Sequence, residues 1–230
     1  MQTLIDIGIV ILGYIIGSIP FGLLIVKLKT GKDIRDVESG RTGGTNAVRA
    51  AGFWAGLLTA ILDILKGTGA VWIAQALSPD NHLIHILAPL GAILGHNYSV
   101  FLISRDSDGK TRFHGGAGGA PALGGAMGLW LPMGPIVFGI ALLIWFTVGI
   151  ASVTTLAIGL ITTITFAIRA YTGQQPPIDI LYGLIALFLL GWSLRPNLKK
   201  LMAGQERVVS ISLNGWLRKR KEAKEADSSQ

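Results

Sequence analysis

The chain has 230 residues, of which half are hydrophobic and only 14% are charged. Soluble domains carry about 25% charged residues, and here the apolar residues run in blocks of roughly 20, long enough to cross a bilayer. The absence of cysteine excludes disulfides, thiol nucleophiles and Cys-ligated metals. A net charge of +7 would indicate nucleic-acid binding in a soluble protein, but in a membrane protein it marks cytoplasmic loops and anionic headgroups. We therefore predict an all-α polytopic membrane protein that binds no nucleic acid.

Seven apolar segments are predicted to form transmembrane helices. The first has no basic n-region and no clear cleavage site, so we expect a membrane helix and not a signal peptide. A helix buried in a large soluble core would also be apolar all round, but that alternative needs a bigger protein. The predicted helices cover residues 4–26, 52–77, 82–102, 117–131, 133–150, 152–170 and 178–193.

Basic residues sort to one side of the predicted bundle. The loop after the first helix holds six Lys or Arg, the loop after the third holds three, and the segment from Arg195 holds nine of the 20 in the chain. The positive-inside rule places that side in the cytoplasm and the N-terminus outside. We expect residues 1–207 to form one integral-membrane domain and residues 208–230 a basic, polar cytoplasmic tail. The cluster from Arg218 to Lys221 would either touch anionic headgroups or act as a positive-inside anchor.

The predicted cytoplasmic loop from Ser39 to Arg49 is rich in glycine, hydroxyl and amide groups. Glycines let backbone N–H groups turn toward an anion, and a nest of such groups binds phosphate. Arg41 and Arg49 can add bidentate contacts to phosphate oxygens. The loop is therefore predicted to be either a phosphate site or an ordinary hydrophilic connector with glycines at its turns.

A second glycine-rich run, GGAGGAPALGG, covers residues 115–125 and leads into the fourth predicted helix. The N-terminus of a helix favours a bound phosphate because its first N–H groups are free. Small residues also let membrane helices pack closely. The run is therefore predicted to serve either anion binding or helix packing.

Ionisable residues also lie within the predicted spans. Asp63 and Lys66 are three positions apart and share a helical face, and charges at membrane depth usually pair or line a wet cavity. We expect this pair to line a functional pocket that opens to the cytoplasm, with a structural ion pair as the alternative. From the residues alone, His96 is expected to form a structural hydrogen bond. His82 and His85 are expected to be interfacial, on the outer side.

Together these polar groups predict a cytoplasm-facing pocket for phosphate groups, roofed by membrane helices. An enzyme that builds phospholipids fits such a pocket, and so does an anion transporter. A transporter would need a polar path through both leaflets, yet the predicted outer loops are short and nearly uncharged.

Several motifs resemble those of the bacterial acyl-phosphate:glycerol-3-phosphate acyltransferases, the PlsY family, and they occur in the same order over most of the chain. They are GSIPFG (17–22), DIRDVESGRTGGTNAVRAAG (33–52), LDILKG (62–67), LGHNYSVFL (94–102) and FHGGAGG (113–119). The segment RPNLKKLMAGQE (195–206) is similar to the last motif of that family. The first two motifs are specific when taken together.

The resemblance implies a seven-helix enzyme of the bacterial inner membrane. Such an enzyme transfers a fatty acyl group from acyl phosphate to the 1-hydroxyl of glycerol 3-phosphate, which yields lysophosphatidic acid and phosphate for phospholipid biosynthesis. Because acyl phosphate is already activated, positioning can supply much of the rate. The implied substrates are acyl phosphate and glycerol 3-phosphate, the implied surroundings are membrane lipids, and no cofactor, metal or covalent nucleophile is needed.

The resemblance also implies roles for individual residues. Ser39 and Arg49 match first-motif residues that are essential in the family, and His96 with Ser99 matches its G-H-x-x-S pattern. The expected catalytic residues are Ser39, Arg49, Asp63, Lys66, His96 and Asn197. The expected substrate- and phosphate-binding residues are Arg41, Gly43, Thr45, Asn46, Gly115, Gly116 and Gly118, and Glu206 belongs to the last motif.

The chain departs from the family pattern at both phosphate loops. Arg41 replaces the usual Asn of the first motif, and Gly44 replaces the usual Ala. The second loop usually carries two lysines, where this chain has His114 and Ala117. A hydrogen bond to a charged group contributes roughly 1.5–3 kcal/mol, so losing one lowers rate or affinity by about one to two decades.

A cation could be restored by Arg41, or by Lys110 or Arg112 from an insert that precedes the second loop. The last motif usually has a His three residues before its Asn, where this chain has Leu194. The leading prediction is a divergent glycerol-3-phosphate acyltransferase. The alternative is a relative with impaired catalysis or another substrate that still binds phosphorylated lipids.

Overall fold

The computed structural model describes residues 1–105, 107–209 and 211–228, without the side chains of residues 222, 223 and 225–228. Helices dominate the described chain, together with one short 3-10 helix, Ile34–Asp36, and two strands, β1 (Ser99–Arg105) and β2 (Thr111–His114). The helices are α1 (Gln2–Ser18), α2 (Phe21–Thr30), α3 (Gly44–Ala51), α4 (Phe53–Leu77), α5 (His82–Asn97), α6 (Gly119–Leu129), α7 (Met133–Thr147), α8 (Ala151–Tyr171), α9 (Asp179–Ser193), α10 (Arg195–Met202) and α11 (Leu213–Ser228).

The first predicted helix is broken, so the prediction of one continuous helix over residues 4–26 is wrong. α1 ends at Ser18 and α2 begins at Phe21. Pro20 has no N–H to donate to the preceding turn, and it disfavours helical backbone at Ile19, whose ψ is 117°. The break leaves backbone carbonyls at the end of α1 that need partners from outside the helix.

The third predicted helix is too long, because a short β-hairpin that was not predicted begins where the helix ends in this mostly helical chain. α5 ends at Asn97, and the residues up to Leu102 enter β1 instead. β1 pairs with β2 as an antiparallel hairpin. Val, Phe and Ile residues favour this strand, and the turn contains an Asp-Gly pair with a φ of 74° at Gly109.

The other predicted helices begin and end within a few residues of α4, α6, α7, α8 and α9. Within the described ranges, three segments are long and apolar enough to cross a membrane: Gln2–Thr30, which joins α1 and α2, together with α4 and α8. The pair α9 and α10, bent by 69°, could form a fourth as one broken span. α7 is apolar but shorter, at 15 residues.

Small residues hold the N-terminal helices close together. α1 packs against α5, α4 against α6, and α8 against α9. A Cβ added at Gly13 or Gly17 of α1 would overlap the backbone carbonyl of Ala88 or Ala92 on α5. Such glycines let two membrane helices approach at backbone distance. The largest apolar core lies among α5, α6, α7, α8 and α9, where Tyr182 and Phe166 are fully buried.

We predict opposite effects for alanine at two glycines of α1. Gly13→Ala should lower the thermal unfolding midpoint in detergent, because overpacking costs about 1–3 kcal/mol, more than the roughly 1 kcal/mol gained in helix propensity. Gly8→Ala is the matched control, since nothing lies within 4 Å of an added Cβ there. A Gly13→Ala protein as stable as Gly8→Ala would contradict the close α1–α5 packing.

Candidate functional site

Lys66 of α4 reaches the break between α1 and α2. Its Nζ donates to the carbonyl oxygen of Gly17 at 3.1 Å and to that of Ile19, and it lies 2.8 Å from Asp63 Oδ1. An unpaired carbonyl at membrane depth is costly, so this ammonium group stabilises the broken helix. Because an ammonium group has three N–H donors, these three contacts can occupy all of them.

Asp63 balances the charge of Lys66 within the same buried cluster. Its Oδ1 also lies 3.5 Å from His96 Nδ1 on α5, and only 1% of its side chain is exposed. Asp63 Oδ2 is buried without a hydrogen-bond partner among the described residues, so one acceptor stays open. The geometry favours the structural alternative for the Asp63–Lys66 pair, and a catalytic role for these residues stays a prediction.

A narrow crevice, too tight to hold a water molecule, lies beside this cluster. Ser99 closes one side of it, because its Oγ donates to the carbonyl oxygen of Ser18 at 2.5 Å. Ser99 therefore also supplies a hydrogen-bond donor to a carbonyl group that the helix break leaves unpaired. The crevice is lined by Gly17, Ser18, Ile19, Pro20, Phe21, Thr42, Asp63, Lys66, His96 and Ser99.

The two glycine-rich loops meet beside this crevice. The N–H of Thr42 donates to the carbonyl oxygen of Gly115 at 3.2 Å, which joins the first loop to the second. The N–H of Gly116 donates to the carbonyl oxygen of His96 at 2.8 Å, and a Cβ added at Gly116 would overlap the His96 ring. Close approach to α5 is therefore one reason for glycine at position 116, independent of any anion.

Gly118 immediately precedes α6 and has a φ of 84°, a backbone conformation that favours glycine. A Cβ added there would lie 2.7 Å from Oδ1 of Asn97. Both polar atoms of the Asn97 side chain are buried without a hydrogen-bond partner among the described residues. This amide, together with the first N–H groups of α6, gives the second loop polar groups that could receive an anion.

Arg41 joins both glycine-rich loops to the C-terminal motif. Its Nη1 donates to Gly116 O at 2.9 Å and Ser193 Oγ at 3.2 Å, and its Nη2 donates to Ser193 O at 2.7 Å and Asn197 Oδ1 at 3.1 Å. Burial lowers the pKa of Arg41 from its ordinary value, because desolvation disfavours the charged form. With both terminal nitrogens bonded to protein acceptors, the geometry favours a joining role over phosphate binding.

The last motif is anchored by the same contact. Asn197 of α10 accepts from Arg41 and donates through Nδ2 to Glu206 Oε1 at 2.9 Å. Asn197 and Glu206 therefore hold the C-terminal motif against the first loop. Leu194, which stands where the family usually has a His, is buried between α9 and α10.

Asn46 holds the first loop in shape from α3. Its side-chain nitrogen donates to the carbonyl oxygens of Ile34 at 3.1 Å, Val37 at 2.9 Å and Arg41 at 2.8 Å. These contacts use the amide donors of Asn46 on the protein itself. The expectation that Asn46 touches substrate stays a prediction.

Other groups of the first motif are open to a ligand. Ser39 and Arg49 are exposed, and Arg49 makes no hydrogen bond or ion pair within the described part of the chain. Among the described residues, Ser39 Oγ accepts a single long hydrogen bond, of 3.4 Å, from the N–H of Arg41. Thr45 is half-buried on α3, and Gly43 precedes that helix with open space where a Cβ would lie.

An open cleft of about 450 Å³ adjoins the Arg41 contacts, a volume typical of small-molecule sites, which enclose roughly 300–1,000 Å³. Ser193 belongs both to the cleft wall and to the Arg41 contacts. The Arg195 guanidinium stacks over the Trp192 ring at 3.3 Å from its centroid. The cleft is lined by Tyr98, Trp192, Ser193, Arg195, Pro196 and Lys199.

The insert before the second loop forms the hairpin turn and β2. Lys110 and Arg112 are exposed there, and His114 Nε2 lies 2.8 Å from Ser104 Oγ across the two strands. Lys110 and Arg112 each have a partner in the structure. Their expected part in replacing the missing lysines stays a prediction.

His82 and His85 lie at the opposite end of α5 from these loops. His82 Nε2 is 3.3 Å from Asp179 Oδ1 on α9, and His85 Nε2 is 2.8 Å from the carbonyl oxygen of Ser78. The two histidines therefore tie α5 to α9 and to the end of α4. They are not part of the predicted phosphate pocket.

The profile of a family described as glycerol-3-phosphate acyltransferase matches residues 7–204. The chain belongs to this acyltransferase family. A glycerol-3-phosphate acyltransferase of Rhodopseudomonas palustris (strain HaA2) is 36% identical over 89% of this chain and 96% of its own length. One from Rubrobacter xylanophilus is 33% identical over 89% of this chain and 95% of its own length.

A solved structure is also similar to this acyltransferase. The crystal structure of PlsY (YgiH), an integral membrane glycerol 3-phosphate acyltransferase in its glycerol 3-phosphate form, matches with a TM-score of 0.73 and 30% identity over 89% of this chain and 95% of that one. Its lysophosphatidic acid form matches with a TM-score of 0.71 and 28% identity over 90% of this chain and 96% of that one. The predicted family is confirmed, and the chain is a mostly helical, integral-membrane acyltransferase.

Several residues at the site were not singled out from the sequence of this acyltransferase. Ser193 supplies two acceptors to Arg41, and Trp192 and Lys199 line the cleft. Trp192 and Ser193 end the apolar helix α9. From the sequence, they are typical of an aromatic residue at the membrane interface and of a helix terminus. Only the proximity of this helix end to the last motif could have indicated them.

We predict that Asp63→Asn destabilises the acyltransferase by about 3–5 kcal/mol, because it leaves Lys66 as an uncompensated buried charge. Unfolding by heat or denaturant in detergent would measure the loss. The double variant Asp63→Leu/Lys66→Met removes both charges and should recover part of that loss, although it leaves the carbonyls of the helix break unpaired. A double variant less stable than Asp63→Asn would argue against the pairing.

We also predict that Arg41→Lys lowers stability although it keeps the positive charge. A lysine ammonium cannot reach the four acceptors of the Arg41 guanidinium, and each lost charged hydrogen bond costs roughly 1.5–3 kcal/mol. Arg49→Lys is the matched control, and its unfolding midpoint should stay unchanged. Equal midpoints for the two variants would contradict the joining role of Arg41.

Proposed function

We propose that this acyltransferase moves a fatty acyl group from acyl phosphate to the 1-hydroxyl of glycerol 3-phosphate, releasing lysophosphatidic acid and phosphate. The observation that carries the proposal is the convergence at Arg41 of the two glycine-rich loops and the last motif, beside an open cationic cleft. Relatives named glycerol-3-phosphate acyltransferase and PlsY structures in glycerol 3-phosphate and lysophosphatidic acid forms support the same reaction.

We propose that the chain crosses the bacterial inner membrane seven times, with its N-terminus outside and its C-terminus in the cytoplasm. The sorting of basic residues to the loops after α2, after α5 and after α9 supports this orientation. In this arrangement both glycine-rich loops and the last motif face the cytoplasm. Residues 1–207 form the membrane domain, and residues 208–230 form the basic tail.

The phosphate of glycerol 3-phosphate is proposed to bind the open groups of the first motif, Ser39, Thr45 and Arg49. Hydroxyl donors suit phosphate oxygens, and so does a guanidinium that has no partner among the described residues; Ser39 and Arg49 are exposed. Asn46 and Arg41 then act by holding the loop that carries them. The fatty acyl chain lies among the membrane helices while both phosphates stay at the cytoplasmic face.

The phosphate of the acyl donor is proposed to bind the second loop, at Gly115, Gly116 and Gly118. As the new ester bond forms, the acyl–phosphate bond breaks and negative charge collects on the leaving phosphate, which can also accept the hydroxyl proton. Backbone N–H groups at the start of α6 and nearby cations would stabilise that charge. Arg195 and Lys199 of the cleft are candidates for the cations that the family's usual lysines supply.

The reaction is tested with the purified protein in liposomes, supplied with acyl phosphate and radiolabelled glycerol 3-phosphate. We expect labelled lysophosphatidic acid from the parent, and a loss of about 10- to 100-fold in kcat/KM for Ser39→Ala and Arg49→Ala, the value of one charged hydrogen bond. Arg169→Ala is the matched control, because Arg169 stacks on Trp130, at the opposite end of α6 from the second loop.

Two outcomes would contradict parts of this account. A folded protein that forms no product from acyl phosphate would overturn the proposed reaction, and acyl-CoA offered in its place would show whether another donor is used. Full activity in Arg49→Ala would be consistent with the proposed reaction, but it would contradict the proposal that the first motif binds the phosphate of glycerol 3-phosphate.

A further inference from the structure

The C-terminal segment lies beyond the family match, which ends at residue 204, yet it is attached to the membrane domain. The N–H of Val209 donates to the carbonyl oxygen of Gly149 at 2.7 Å, and Asn214 Nδ2 donates to that of Val148 at 3.0 Å. Residues 148–150 connect α7 to α8. α11 therefore begins directly beside the ends of two apolar helices.

This attachment fixes where α11 starts. Ser212 is buried, and its Oγ accepts the N–H of Gly215 at 3.1 Å, as the cap of a helix N-terminus does. Gly149 has a φ of 69°, and a Cβ added there would overlap the Ser212 side chain. The first turn of α11 is thus held against the α7–α8 connection by packing and by hydrogen bonds.

Large apolar side chains on the first turns of α11 are uncovered. Leu213, Trp216 and Leu217 are three and four positions apart, so they share one face, yet their exposed fractions are 54%, 52% and 51%. Ile211, just before the helix, is exposed as well. An apolar face of this kind is unfavourable in water, so we expect another apolar surface to pack against it.

Basic side chains follow directly on the same helix. Arg218, Lys219 and Arg220 are exposed, and the Arg220 guanidinium lies 5.2 Å from the centroid of the Trp216 ring. Long basic side chains can lay their stems along apolar surface and keep their charge at the headgroups. Tryptophan is enriched at the same depth of a membrane.

We propose that α11 lies on the surface of the bilayer that the protein spans, with Leu213, Trp216 and Leu217 among the headgroups and Arg218 and Arg220 on anionic lipids. Continuity supports a lipid surface as the cover, because exposed apolar residues of α7, such as Leu143 and Phe146, face outward just before the connection that holds α11. The basic charge complements anionic headgroups. The proposal needs membrane embedding but does not depend on acyl transfer.

The absence of cysteine allows a clean test by spin labelling of the full chain. Single cysteines would be placed at Leu217, on the apolar face, and at Lys219, two positions away, so that the two labels point in different directions. Each labelled protein would be reconstituted in vesicles of phosphatidylcholine with phosphatidylglycerol. Power saturation then compares access of the label to oxygen, which is enriched in lipid, and to a water-soluble nickel chelate.

We expect the label at position 217 to show a several-fold higher ratio of oxygen to nickel access than the label at position 219. In vesicles of phosphatidylcholine alone, the ratio at position 217 should fall toward the aqueous value. The variant Arg218→Gln/Arg220→Gln, made in the Leu217→Cys chain, should cause the same fall in vesicles that contain phosphatidylglycerol.

Three results would overturn the proposal. Equal, aqueous ratios at positions 217 and 219 would show that α11 stands away from the membrane. An access ratio at position 217 that is the same with and without phosphatidylglycerol would show that α11 does not depend on anionic lipids. Low access of that label to both reagents would mean that protein, and not lipid, covers this face.

Discussion

The break between α1 and α2 leaves backbone carbonyl groups that need hydrogen-bond donors, and several residues of the site supply them. A helix end at membrane depth leaves carbonyl oxygens without helical partners, and here those of Gly17, Ser18 and Ile19 are bonded by Lys66 and Ser99. The ammonium group in turn requires a counter-charge, which Asp63 supplies. These contacts draw α4 and the end of α5 to the point where the first glycine-rich loop follows α2.

The polar residues of the site divide into those that hold the loops and those that stay open. Arg41 and Asn46 bond to protein acceptors, so their effect on a substrate is to position the groups around them. Ser39 and Arg49 keep their groups accessible on the same motif. An arginine at position 41 can bridge two loops and the last motif at once, because its planar guanidinium offers donors in several directions.

The family, the glycine-rich loops and most helices could be predicted from the sequence, because they rest on local composition and motif order. The partners of Arg41 could not, since Ser193 and Asn197 lie about 150 residues away in the chain, a separation of 152 and 156 positions. The missing N–H of Pro20 could have predicted the helix break, but the apolar residues on both sides of it favoured one continuous span. The hairpin after α5 was hidden for the same reason, since its strand continues an apolar helix with β-favouring residues.

Hydrogen–deuterium exchange of the full chain, with and without glycerol 3-phosphate, tests most directly whether the three joined segments form one substrate site. The account predicts slower exchange on binding in residues 39–49, 115–118 and 193–197 together, because a ligand at their meeting point stabilises every segment that Arg41 connects. Protection confined to other regions, such as the His82 end of α5, would contradict it. So would unchanged exchange at saturating glycerol 3-phosphate.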